Sequence, residues 1–131
     1  MKRILLGSML LILSWTVRAE WTLVTDTGNA SDDFVEYVDL ETIRRSGGIV
    51  KMWEMRSFKE VQRAGASYLS AKMQNEYDCN DEKVRNIAFQ TYSGTMGSGR
   101  VAEVGSTADA WRPISPGTVA IIKWRIVCGR R

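Results

Sequence analysis

The stretch SYLSAKMQNEYDC, residues 67–79, decides the fold. Its side chains alternate. Leu69, Ala71, Met73, Tyr77 and Cys79 share one parity, while Tyr68, Ser70, Lys72, Gln74, Glu76 and Asp78 share the other. A period of two with one apolar side is a half-buried antiparallel strand, one face toward a core and one toward water. The alternation puts Cys79 on the buried side with Leu69 and Met73. It puts Tyr68, Ser70, Lys72, Gln74 and Glu76 together on a face that stays open unless another layer covers it.

Downstream, Asn80–Glu82 reads as a turn and Val84–Tyr92 as a second long strand, with Ile87 and Phe89 on one face and Asn86 and Gln90 on the other. Ser93–Gly99 is glycine-rich and reads as a hairpin turn closing on Arg100–Val104. A phosphate-cradling loop would instead feed a helix and carry a lysine. Upstream, Trp21–Thr25 is a first strand, residues 26–33 a polar loop, and Phe34–Val38 a short β-prone run. Asp39 reads as an N-cap with one helical turn over Leu40–Arg45, ended by Gly47-Gly48 before a strand at Ile49–Phe58. The final element is ambiguous. Ala120, Ile122, Trp124, Ile126 and Cys128 alternate as in a strand, yet Ile121, Trp124, Val127 and Cys128 also share a helical face. Ser115 as a cap, Pro116 at the first helical position and Gly129 as a stop favour a helix.

The compartment follows from the start of the chain. Lys2 and Arg3, the apolar run Ile4–Trp15, and the small residues Val17 and Ala19 before Glu20 form a secretory signal peptide over residues 1–19. Residues 20–131 then make a single exported domain of 112 residues with room for one core. The net charge of +3 leaves with Lys2, Arg3 and Arg18, so 15 basic residues face 15 acidic ones. A neutral chain with scattered charges does not suit nucleic acid, which needs a clustered positive field. Glu20 stands where a lipoprotein carries its cysteine, so no direct membrane anchor is expected. Cys79 and Cys128 are the only cysteines, and in an exported chain two cysteines pair. Closing that loop stabilises the fold by about 4 kcal/mol in the chain-entropy model. A redox-active pair would need the cysteines close in sequence.

Catalytic options are few. The chain has no histidine, which removes Ser-His and Cys-His nucleophilic sites and most zinc sites. The one acidic cluster is Asp32, Asp33, Glu36, Asp39 and Glu41. Its spacing does not match a calcium loop, and surface solvation or capping explains it better than catalysis or a metal. No cofactor and no metal are expected. Of the tryptophans beyond the signal, Trp21, Trp53 and Trp124 read as core, and Trp111, beside Pro113, as the exposed exception. The triplet Asn29-Ala30-Ser31 fits the pattern of a glycosylation acceptor.

The pieces Trp21, Tyr37-Val38-Asp39 with Thr42-Ile43, Gly47-Gly48-Ile49-Val50 with Trp53, Asp78-Cys79, Tyr92 with Gly94, Trp111-Arg112-Pro113-Ile114, Pro116-Gly117 and Val127-Cys128 occur in an order that resembles the surface-adhesin protein E family of Gram-negative bacteria. The resemblance implies an α+β fold: a curved antiparallel sheet of about six strands with a C-terminal helix tethered by the Cys79–Cys128 disulfide. It also implies a non-enzymatic binding module of the periplasm or cell surface, adhesin-like, with host or matrix proteins as ligands. In adhesive members a basic stretch surrounds the first cysteine. Here Ala66–Arg85 sets Lys72, Lys83 and Arg85 against Glu76, Asp78, Asp81 and Glu82. The alternative is a periplasmic accessory protein docking on another envelope component. Either way the partner is a protein or peptide, and Tyr68, Lys72, Gln74, Glu76 and Trp111 are the residues expected to bind it.

Overall fold

The computed structural model of the protein describes residues 20–24 and 34–129. The signal peptide at 1–19, the polar loop at 26–33 with Asp32 and Asp33, and the triplet Asn29-Ala30-Ser31 lie outside these residues. Seven strands and one helix follow in chain order: β1 (Thr22–Leu23), β2 (Phe34–Ser46), β3 (Ile49–Gln62), β4 (Tyr68–Asp78), β5 (Lys83–Tyr92), β6 (Val101–Gly105), β7 (Arg112–Pro113) and α1 (Val119–Cys128). The strands form one antiparallel open sheet in the order β1-β2-β3-β4-β5-β6, and β7 pairs with β5 beside Lys83 and Val84. The alternation that suggested β4 places it between β3 and β5, in long ladders on both sides. A C-terminal helix tethered to this sheet by a Cys79–Cys128 disulfide, with Cα atoms 5.5 Å apart, completes the α+β fold expected from the sequence.

One face of the sheet carries the helix. Val38, Val50, Met52 and Tyr77 from the sheet meet Ile121, Trp124 and Val127 from α1, with Val24, Ile114 and Cys79 at the margins. Trp124 donates its indole N–H to the carbonyl of Asp78 at 2.9 Å, which satisfies the one polar atom of a ring buried to 3 % exposure. The helix stops where Gly129 turns left-handed (φ 65°, ψ 20°) and its N–H reaches back to Arg125 O, as the sequence suggested.

Four local readings are corrected, the first in β5: its register with β4 shifts between Gln74 and Asn75, so Phe89 and Asn86 share the helix-bearing face while Ile87 lies on the other with Lys51 and Glu76. Residues Leu40–Arg45 are not helical: β2 runs unbroken through Ser46 with a large bulge, in which Leu40–Ile43 lie opposite the single residue Met52. The bonds of a cap are present, since Asp39 Oδ1 accepts the Glu41 N–H and Thr42 Oγ1 donates to Asp39 O. Thr42 Oγ1 also accepts the Trp53 N–H, so the hydroxyl stands in for a missing ladder bond and the strand continues. At the other end, Ser115 does not cap α1. Gly117 (φ 75°) turns the chain after Pro116, and Thr118 occupies the N-cap with its hydroxyl donated back to Ser115 O. Finally, β3 extends past Phe58 to Gln62, and its register with β4 shifts between Ser57 and Gln62. That shift turns the Tyr68 ring out of the alternation: it packs edge-on against Phe58, 5.7 Å between centroids, on the helix-bearing side.

Candidate functional site

The two faces of the sheet offer different chemistry. On the face away from α1, Lys72, Gln74 and Glu76 lie in a row along β4, opposite Met55, Trp53 and Lys51 of β3. Trp53 is half-buried. One end of this face is covered. The β5–β6 connection folds back over it, held by Ser70, whose hydroxyl donates to Gly94 O at 2.6 Å and accepts the Gly97 N–H at 2.8 Å. Ser70 is therefore fully buried rather than displayed, and Met55 beneath the same connection is buried too. Lys72 lies at the border of this cover, its ammonium 5.0 Å from the Tyr92 ring centroid and 5.8 Å from that of Trp21. Beyond it the face is open. Glu76 pairs with Arg85 at 3.3 Å, and the Arg85 guanidinium lies 4.5 Å over the Trp111 ring. Lys72, Gln74, Glu76 and Trp111 are thus linked along one surface; Tyr68 lies across the sheet from them.

The helix-bearing face holds a group of charges that the sequence reading did not single out. Lys123 of α1 enters the sheet with 5 % exposure and meets Glu54 Oε1 at 2.6 Å and Glu36 Oε2 at 2.9 Å. Arg56 donates to Glu36 from the other side, and Tyr77 and Asn75 donate to Glu54. Burial pushes the Glu36 carboxyl up, but Lys123 and Arg56 outweigh it and hold the group below its ordinary value. Burial likewise opposes the charge on Lys123, and Glu54 and Glu36 reverse that effect and raise its pKa. Burial first, then the Glu54 carboxylate, drives the Tyr77 phenol well above its usual range, so it remains a donor. Two carboxylates face two cations, and each is partnered. The arrangement fixes the helix on the sheet rather than presenting a free acid or base. A signal for it existed in the chain: Glu54 shares the parity of Val50 and Met52, and Lys123 interrupts the apolar run from Ile121 to Val127.

Beside this cluster, where α1 no longer covers the sheet, runs a cleft of about 640 Å³. Met73 and Phe89, paired across β4 and β5, form its floor, and Ala120 of the helix forms one wall. Among the described residues no three His, Cys, Asp or Glu side chains converge as a metal site. The acidic cluster read from the sequence disperses: Glu36 is buried in the ion network, Asp39 caps its own bulge, and Glu41 is exposed. The tryptophans divide as well. Trp124 alone is core, while Trp21 and Trp53, expected inside, are half-buried on or beside the open face, and Trp111 is half-buried under Arg85.

An antiparallel meander closed by one disulfide-tethered helix has a counterpart among known families. The family model of the surface-adhesin protein E matches residues 21–129. The chain belongs to that family. Membership makes it an adhesin-type surface protein, with the exported or cell-surface location this entails; the family is one of adhesins and not a class of enzymes. Among the described residues no helix is long and apolar enough to cross a membrane. Several solved structures share the fold, and two of them illustrate it. Haemophilus influenzae protein E in its crystal form II is 14 % identical, with a TM-score of 0.59 over 77 % of this chain and 91 % of that one. Protein E from non-typeable Haemophilus influenzae is 15 % identical, with a TM-score of 0.55 over 86 % and 78 %. At these identities the likeness concerns the fold. A comparison with curated proteins finds no match.

Proposed function

We propose that the protein is a non-enzymatic, exported binding module that recognises host or matrix proteins through the open face of its sheet. The observation that carries this reading is the family match over residues 21–129. The surface fits it in kind. Lys72, Gln74, Glu76, Trp53 and Trp111 combine half-buried aromatic area with hydrogen-bonding groups and one charge of each sign, the mixture typical of protein contacts and poorly suited to a polyanion. The Glu36, Glu54, Lys123 and Arg56 groups are paired with one another, which gives them a structural role between helix and sheet.

The test is retention of matrix proteins, and separately of envelope extract, on immobilised residues 20–131. Matrix proteins should be retained, and Lys72→Glu with Trp53→Ala should weaken retention at least fivefold while circular dichroism stays unchanged. Retention of an envelope component alone would replace this reading with that of an accessory protein. Unchanged retention by the double variant would remove the open face as the site.

A further inference from the structure

The cleft on the helix-bearing face is built differently from the open face, and its two ends carry opposite charges. Arg112 stands at one end, paired through β7 with Val84, and Glu103 at the other, paired through β6 with Thr91. Both line the cleft and both are exposed. Among the described residues neither has an ion-pair partner, in contrast to the Arg56 and Lys123 cations that the cleft also touches. The register sets their spacing: Val84 and Thr91 pair with Tyr77 and Ala71, six steps apart along β4, roughly 20 Å at about 3.3 Å per residue. Between them the floor is apolar at Met73 and Phe89. Of the polar groups on the floor, Asn86 donates to Asn75 Oδ1 and to the carbonyls of Gln74 and Ala88, and Asn75 donates to Glu54, while the buried Thr91 hydroxyl at the Glu103 end has no hydrogen-bond partner among the described residues. Phe89 lies against Gly105 of β6, where any Cβ would meet its ring, so the absence of a side chain there keeps the aromatic surface in place.

We infer that this cleft takes an extended peptide segment of a partner protein, about six residues long, with an acidic residue at the Arg112 end, apolar side chains in the middle and a basic residue at the Glu103 end. The length follows from the spacing, because six extended residues span roughly 20 Å. The charge pattern follows from the two unpaired ends. A fatty acyl chain would satisfy the floor and Arg112 but would leave Glu103 beside hydrocarbon. The inference concerns a second site and stands independently of the open face.

The experiment uses three synthetic hexapeptide pools, Glu-X4-Lys, Lys-X4-Lys and Glu-X4-Glu, with X drawn from Val, Leu, Thr and Phe and the termini blocked. Palmitate serves as a fourth probe. Binding to residues 20–131 is followed by amide chemical shifts and by titration calorimetry. The mixed-charge pool should bind about tenfold more tightly than either like-charge pool and shift the amides of Met73, Phe89 and Ala120. Arg112→Glu, at an exposed position, should move the preference to Lys-X4-Lys, and Lys72→Glu should leave it unmoved. The inference fails if no pool binds, if the three bind alike, if Arg112→Glu leaves their order unchanged, or if palmitate alone shifts those amides.

Discussion

Replacing Lys123 by Met keeps the length of the side chain and removes its charge. In the folded protein Glu54, 1 % exposed, then keeps only the neutral donors Tyr77 and Asn75, while Glu36 keeps Arg56. One buried carboxylate is left without a cation. Removing one partner of a buried pair costs about 3–5 kcal/mol, chiefly through the charge that remains. Against a total stability of about 5–15 kcal/mol for a domain of this size, that is a large fraction. The disulfide holds the end of α1 in place, so the loss should appear as a lower urea midpoint rather than as release of the helix. Adding Glu54→Gln removes the stranded charge and should restore at least 1 kcal/mol, because the amide still accepts from Tyr77. Urea titration at pH 7, read by the fluorescence of buried Trp124 and by far-ultraviolet circular dichroism, measures both steps. If Lys123→Met lies within about 1 kcal/mol of the parent, or if the second change lowers stability further, the assignment of the cluster as a mutually dependent ion network is wrong.

Three further outcomes follow from the same geometry. Stability should be flat across neutral pH and fall at both ends: the Glu36 contribution is lost as pH drops through its folded pKa, below the ordinary 4.5, and that of Lys123 as pH rises through its own, above 10.5. Urea midpoints against pH check this, and Lys123→Met should shrink the alkaline limb to the share that the Tyr77 phenol, also raised by folding, contributes. Replacing Cys79 and Cys128 by Ser should cost about 2–5 kcal/mol, and two free thiols in the exported protein would contradict the bond. Ser70→Ala should cost about 1–3 kcal/mol and speed hydrogen exchange at Gly97, whose N–H loses its acceptor; unchanged protection there would deny the hydroxyl its role.

What could be read from the chain beforehand was what repeats at short range. The alternation through Leu69, Ala71 and Met73 located β4, the glycines of Ser93–Gly99 located a hairpin, and two cysteines in an exported chain located the disulfide. Asp39 misled because its side-chain bonds are those of a cap, and only the partner strand, through Trp53 N–H on Thr42, reveals that the strand goes on. Tyr68 changed sides because four residues of β3 are accommodated opposite one of β4, which no local pattern in Phe58–Ser67 announces. The ion network joins Glu36 to Lys123 across most of the chain, and pairings of that separation leave no periodic trace. The open face and the cleft are products of where α1 lies and of which edge β7 joins, both tertiary facts.

The disulfide also governs how the molecule answers to force. Residues 79–128 form a closed covalent ring that contains β5, β6, β7 and α1. Tension applied between Glu20 and Gly129 enters that ring at Cys79 and leaves at Cys128, through the sulfur bridge and not along the peptide backbone between them. Only residues 20–79 can be drawn out, roughly 200 Å at about 3.4 Å per residue, where the unbridged chain would yield roughly 370 Å. A surface protein under shear would therefore peel from β1 toward β4 while the cleft wall made by β5, β7 and the helix stayed mechanically silent.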